Sequence, residues 1–224
     1  MTKNSPHPAE QRLVLSDVSY QQFENLLVEL GQHRTARLTY VRGKLEMMTP
    51  MAEHERCRKL LESLILVLAD EAGMAVEAIA PVLVIHPELQ CSIQPDACYY
   101  WQASAKAERS PSPDEIVTIQ LPQQPIPDLL VEVSMTKSAL NKLAICASLD
   151  IPELWQYITT GGEDVLKGAI RIYRLHNQAY VESTHSYAFP GLTPNQILQF
   201  LQHSDTLGLQ KAIALLRDWC SQQR

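Results

Sequence analysis

Glu132 stands between Val131 and Val133 in the apolar run Asp128-Leu-Leu-Val-Glu-Val-Ser134. A carboxylate buried mid-strand costs several kcal/mol unless it is paired or bound to a cation. The two-residue period of a strand puts Leu129, Val131 and Val133 on one face and Asp128, Leu130, Glu132 and Ser134 on the other, so Glu132 needs a partner, either a metal ion or a lysine. Lys142 is the candidate lysine, because it falls on the first or second turn of the helix that leaves the C-terminal end of this strand. Asp96, after Pro95 at the start of another strand, supplies a second carboxylate, and Glu46 in an early hairpin supplies a possible third. Two or three carboxylates plus a lysine form a hard-oxygen site suited to Mg²⁺ or Mn²⁺, in which the metal clamps a phosphate and activates water. The lysine stabilises developing charge or orients that water. Two acids and a lysine occur in most chains of this size, so spacing alone leaves structural salt bridges as the competing reading.

The elements that must position these residues follow from hydrophobic period and punctuation. Phe23, Leu26, Leu27 and Leu30 recur at helical spacing, with Ser19 and Gln22 as a capping box and Gly31 at the stop. Two alternating runs within Arg37 to Met48 flank Arg42-Gly43, a hairpin signal that places Glu46 on the second strand. Leu60, Leu61, Leu64, Ile65 and Leu68 define a long helix from Met51 to Glu71, ended by Gly73. Short strands are predicted at 75–79, 81–85 and 94–101, with a loop over 102–115. The strand at 128–134, a helix over 138–149 and a strand at 154–158 read as a crossover unit. A hairpin through His176-Asn177 joins strands at 169–175 and 178–184, Thr193-Pro194 with Gln196 opens a further helix, and a last amphipathic helix covers 204–220.

The chain has 224 residues, of which 46% are hydrophobic and 20% charged. That is enough for one substantial core, and the sequence predicts a flexible N-terminal tail over residues 1–12 followed by a single domain over 13–224. Nineteen basic residues against 25 acidic ones give a net charge of −6, which disfavours a protein that works by coating phosphate backbones with positive charge. Five cysteines without a Cys-x-x-Cys pair indicate neither a disulfide framework nor a cysteine zinc site, and point to packed, reduced thiols in a cytoplasmic protein. No segment has the roughly 20 apolar residues of a membrane span, and the N-terminus lacks a signal-peptide core.

Four segments taken together resemble the large bacterial family of putative restriction endonucleases within the PD-(D/E)XK nuclease-like superfamily. They are RLTYVRGKLEMMTPMAEHE from Arg37, QPDACYYW from Gln94, PDLLVEVSMTKSALNK from Pro127 and IPELWQY from Ile151, and their order and spacing agree with the family over roughly residues 16–200. The resemblance implies an α/β (α+β) restriction-endonuclease-like fold, a mixed central β-sheet flanked by helices. It implies that Asp96 and Glu132 are metal ligands with Glu46 near the metal, and that Lys142 on the following helix replaces the superfamily lysine, whose usual position is Ser134. Asp128 matches an acid that often precedes the Glu-Val motif. Asn141, Cys146 and Asp150 depart from the family pattern and leave room for an inactive copy.

Other residues carry two readings each. His54 can assist the metal or contact a phosphate, although a solvent-facing or capping histidine is the plainer expectation. Asp128 is a third ligand or a strand-start cap. Arg34, Arg37, Arg42, Lys44, Arg56, Arg58 and Lys59 form a nucleic-acid strip or a solvated surface. Tyr99, Tyr100 and Trp101 stack on bases or join the core, whereas Trp155 and Tyr157 read as packing residues. The expectation is a Mg²⁺- or Mn²⁺-dependent endonuclease cleaving DNA, or RNA, as a homodimer. In the site Asp96, Glu132 and Lys142 are catalytic, with Glu46, Asp128, Ser134 and His54 in support. The alternative is a non-catalytic relative that keeps the fold for binding nucleic acid or protein.

Overall fold

The computed structural model describes residues 10–101, 115–159 and 168–223. Its first strand, β1 (Glu10–Leu15), pairs antiparallel with β3 (Lys44–Pro50). The tail expected over residues 1–12 therefore gives way at Glu10. Glu10 and Arg12 alternate onto the same side of β1 and both find charged partners, which holds this stretch in place. Helix α1 (Tyr20–Leu30) has the Ser19–Gln22 capping box and ends at Gly31. Positive φ angles at Arg42 (42°) and Gly43 (88°) give the tight turn that joins β2 (Arg37–Val41) to β3, since turns of that hand match strand twist. Helix α2 (Ala52–Ala72) stops at Gly73, which is left-handed at φ 64°.

The middle of the chain divides between two sheets where one was expected. β4 (Val76–Ile79) joins one sheet and β5 (Val82–His86) the other. β6 (Cys91–Ile93) and β8 (Val117–Gln120) are strands too short for their period to stand out in sequence. β7 (Ala97–Trp101) begins just after Asp96, and the expected loop over 102–115 falls outside the described residues except for Glu115. β9 (Leu129–Ser134), α3 (Lys142–Ser148) and β10 (Glu153–Ile158) form the expected crossover, with β9 and β10 parallel. β11 (Ala169–His176) and β12 (Ala179–Ser183) form the C-terminal hairpin. The last helical stretch is divided at Gly208 into α4 (Pro194–Thr206) and α5 (Leu209–Gln222).

The sheets run β1-β3-β2-β6-β5-β8 and β12-β11-β10-β9-β7-β4, both mixed. One core cluster packs Leu129, Val131 and Val133 of β9 against apolar residues of α2, α4 and α5. A second takes Leu130 on the opposite face of β9 and packs it with Val82, Val84 and Ile93 of the other sheet and Ile145 and Cys146 of α3. The period-2 assignment of β9 thus holds residue by residue. A third cluster seats Phe23 of α1 on Leu38 and Tyr40 of β2 and Leu45 of β3. Alternation along β2 then puts Arg37 on the face turned away from α1. Tyr99 and Tyr100 are buried, as are Trp155 and Tyr157, and Trp101 packs edge-on against Phe189, so the aromatic run serves the core.

Candidate metal and nuclease centre

The register Ala97↔Val131 continues one step to bring Asp96 beside Glu132, where the Asp96 N–H donates to the Val131 carbonyl at 3.0 Å. Both side chains are buried. Asp96 Oδ2 accepts from the Val133 N–H at 2.7 Å, which ties the aspartate to the strand that carries the glutamate. Lys142, the first residue of α3, reaches Glu132 Oε2 at 2.5 Å. Asn141 caps that helix by accepting from the Ala144 N–H at 3.1 Å, so the residue that departs from the family pattern has a structural task. Glu132 Oε1 is buried with no hydrogen-bond partner among the described residues.

Asp96 Oδ1 faces His54 Nε2 at 2.5 Å, and Arg37 Nη1 donates to both. His54 is fully buried on the first turn of α2, which overturns the expectation of a solvent-facing or capping histidine. Its Nδ1 lies 2.7 Å from Glu10 Oε1. With Nδ1–H donating to Glu10, the tautomer assigned from this network leaves the Nε2 lone pair pointing at Asp96. Burial pushes the His54 pKa down, with the Arg37 charge acting the same way and the Glu10 hydrogen bond opposing, which favours the neutral imidazole. Two acceptor atoms this close stay together only through a shared donor or cation. One ligand atom each from His54, Glu55 and Asp96 lies within 4.8 Å of the others, a donor set compatible with a divalent ion.

Glu10, Arg37 and Glu55 are site residues that sequence reasoning missed. Glu10 also accepts from the Met135 N–H (2.9 Å), the Thr136 N–H (3.0 Å) and hydroxyl (2.6 Å), and Arg12 (2.7 Å). Burial pushes its carboxyl pKa up, but the bonds from His54, Thr136 and Met135 and the charge of Arg12 outweigh this and hold it far below the usual carboxylate range. The one signal for Glu10 in the sequence is the Glu-x-Arg spacing ahead of an apolar strand. Arg37 was visible only as one of seven basic residues.

Glu46 is not brought to the cation cluster. Its Oε1 accepts from Arg12 at 2.6 Å, and its Oε2 accepts from the Ala139 N–H at 2.8 Å, with the Ser138 hydroxyl bridging both. It therefore shapes the turn that delivers Lys142, because its oxygens are already engaged by the fold. Asp128 lies at the other end of β9, where it accepts from the Trp101 N–H at 2.8 Å, the contact of a strand-start cap. Ser134 ends β9, its carbonyl accepting from the Thr159 N–H at 3.0 Å. The basic strip also divides: Arg56 pairs with Asp205, whereas Arg34, Arg37 and Arg58 line a cleft with Asp96.

Residues 20–210 match the profile of a family, Uma2, described as "putative restriction endonuclease". The chain belongs to the Uma2 family. No curated protein matches it. Its fold is similar to the crystal structure of "a putative nuclease belonging to DUF820" from Anabaena variabilis ATCC 29413, at 14% identity and a TM-score of 0.52, covering 82% of this chain and 99% of that one. Uma2 membership supports a nuclease-like function. No helix among the described residues is long and apolar enough to cross a membrane.

Proposed function

We propose that this protein is a metal-dependent endonuclease that hydrolyses DNA phosphodiester bonds at the centre built from Asp96, Glu132 and Lys142. The observation that carries the reading is the buried, unpartnered Glu132 Oε1. A buried carboxylate oxygen left without a donor costs free energy that a bound cation recovers. Asp96 and Glu132 would hold the ion, Mg²⁺ or Mn²⁺, with His54 and Glu55 as the neighbouring donors. Bound there, the ion would supply Lewis-acid polarisation of a phosphoryl oxygen and would ease deprotonation of water.

The chain's own residues supply the rest. Lys142 Nζ, held at 2.5 Å by Glu132, presents a fixed positive charge to a non-bridging phosphate oxygen. Arg37 adds a guanidinium beside Asp96, suited to the charge that develops on the phosphorane. Glu10 fixes the His54 ring, in the way that a carboxylate behind an imidazole orients a ligand. RNA offers the same phosphodiester, and a two-fold cytoplasmic dimer would present two such centres to the two strands of a duplex.

The test is cleavage of plasmid and single-stranded DNA with Mg²⁺ or Mn²⁺ by wild type and Glu132→Ala prepared in parallel. The expected result is cleavage by the wild type alone, together with a metal-dependent rise in melting temperature that vanishes in Asp96→Ala. Cleavage retained in Asp96→Ala, Glu132→Ala and Lys142→Ala would overturn the assignment.

A further inference from the structure

A cleft of about 260 Å³ opens beside Asp96, and three guanidinium groups line it: Arg34, Arg37 and Arg58. Arg37 comes from β2, Arg58 from the second turn of α2 and Arg34 from the segment between α1 and β2, so strands, helix and loop all contribute. Arg34 is held from behind. Its Nη1 donates to the Gly31 carbonyl at 2.8 Å and its Nη2 to Gln94 Oε1 at 3.1 Å, while its Nε is buried without a partner. Gln94 Oε1 also accepts from the Leu38 N–H at 3.3 Å, which fixes the amide that orients Arg34. Arg58 is braced by Glu55 at 2.8 Å and Glu62 at 3.1 Å, and Arg37 by Glu55 at 2.7 Å.

The residues that line the cleft set three guanidiniums against the carboxylates of Glu55 and Asp96, with Glu62 behind Arg58, in a chain whose net charge is −6. Concentrating cations at one concave place in an acidic protein creates a local potential for an anion. Planar guanidinium forks match the oxygens of a phosphodiester, and pre-ordered arginines lose less entropy on binding one. The volume suits one phosphate with its sugar and is too small for the width of a duplex.

We propose that the Arg34–Arg37–Arg58 cleft grips a backbone phosphodiester of the substrate strand next to the one being cut, a reading that rests on the nuclease function above. It positions the strand against Asp96 and Glu132 without reading its bases. DNA and RNA share the group recognised, so both are probes.

The experiment is an anisotropy titration of labelled single-stranded DNA and RNA of one sequence with the full chain in EDTA, where no cleavage occurs, over a range of salt. Arg34→Ala and Arg58→Ala are each expected to weaken binding about 5- to 10-fold on both probes, and to flatten the dependence of log K on log salt by about 0.7 per lost contact. Arg34→Lys should regain part of the loss, and Arg56→Ala, which removes an exposed arginine paired with Asp205 outside the cleft, should bind as wild type does. The cleft proposal is overturned if the double variant Arg34→Ala with Arg58→Ala, folded by circular dichroism and melting, binds with unchanged affinity and slope. It is overturned equally if Arg56→Ala loses as much, or if wild type binds neither probe. Because binding is read without chemistry, loss of binding in a chain that never cleaves keeps the cleft as a phosphodiester grip and refutes the nuclease, and with it the place beside a scissile bond. Cleavage that survives with binding unaltered in the double variant does the reverse.

Discussion

Glu132 and Glu153 are both buried glutamates on neighbouring parallel strands of one sheet, each 1% exposed. Glu153 Oε1 accepts from Trp155 Nε1 at 2.7 Å, and its Oε2 accepts from the N–H groups of Tyr187 and Ala188, both at 3.0 Å. Every oxygen is answered by the fold, and the carboxylate pins the segment after β12 to the sheet. Glu132 has one oxygen on Lys142 and one without a partner among the described residues. Burial alone therefore does not distinguish a structural carboxylate from one poised for a ligand. The difference lies in whether the fold satisfies the acceptor, because the fold gains nothing from burying an unanswered one.

The largest effect should come from breaking the Glu132–Lys142 pair. Glu132→Gln is expected to reduce cleavage at least about 10³-fold, as for removal of a central electrostatic group. It also leaves Lys142 buried beside a neutral amide and should cost about 3–5 kcal/mol of stability. Replacing both partners by an apolar pair of similar volume, Glu132→Leu with Lys142→Met, should return most of that stability with no return of cleavage. Urea unfolding of the single and double variants, with cleavage assays alongside, checks both halves. A single variant that remains active, or a double variant that regains activity, removes the functional side of the contrast with Glu153.

Glu153→Ala tests the structural side. It strands two backbone N–H groups and an indole N–H, and should cost about 3 kcal/mol, read as a fall of roughly 6–12 °C in melting temperature. Cleavage measured well below that temperature should stay within about threefold of wild type, on the rule that a structural carboxylate acts on the folded fraction alone. A large loss of activity in a fully folded Glu153→Ala protein would erase the distinction.

Much of this arrangement is legible in sequence, for reasons specific to each element. The Glu132 strand is readable because both of its faces are buried against different layers, and an acid within such a run is conspicuous. The capping boxes at Ser19 and Thr193 and the Arg42-Gly43 turn are local chemistry, complete within a few residues. Lys142 could be placed near Glu132 because it opens the helix that leaves the end of that strand, whereas Asp96 came beside it only through the resemblance to the family. The division into two sheets is not local: β4 and β5 are separated by two residues yet pair with different partners. Glu10 escaped for the same reason, as did the burial of His54, since the contact between them spans 44 positions and neither has a local reason to be buried.

Glu46 sits between the two classes and sharpens the comparison. Its oxygens are satisfied, like those of Glu153, yet the groups that satisfy them belong to the turn leading to Lys142. Glu46→Gln keeps the shape but loses the charge facing Arg12, and is expected to cost about 1–2 kcal/mol and lower cleavage about tenfold. The metal-dependent rise in melting temperature should persist, because Asp96 and Glu132 are untouched. A variant that loses this rise would return Glu46 to the ligand set.

The smallest effect is expected at Asp128, the other acid of the Glu132 strand. It is half-buried at the far end of β9, and its one described side-chain bond is to the Trp101 N–H at 2.8 Å. Asn keeps a carbonyl oxygen able to accept that bond, so Asp128→Asn exchanges a charge-assisted hydrogen bond for a neutral one and should cost below about 1 kcal/mol. Four residues of extended strand separate it from Glu132, about 13 Å, beyond reach of an ion held by that carboxylate. Cleavage and the metal-dependent melting shift should both stay within about twofold of wild type. If Asp128→Asn abolishes either, the active end of β9 has been misplaced, and the orphaned oxygen of Glu132 no longer marks where the chemistry occurs.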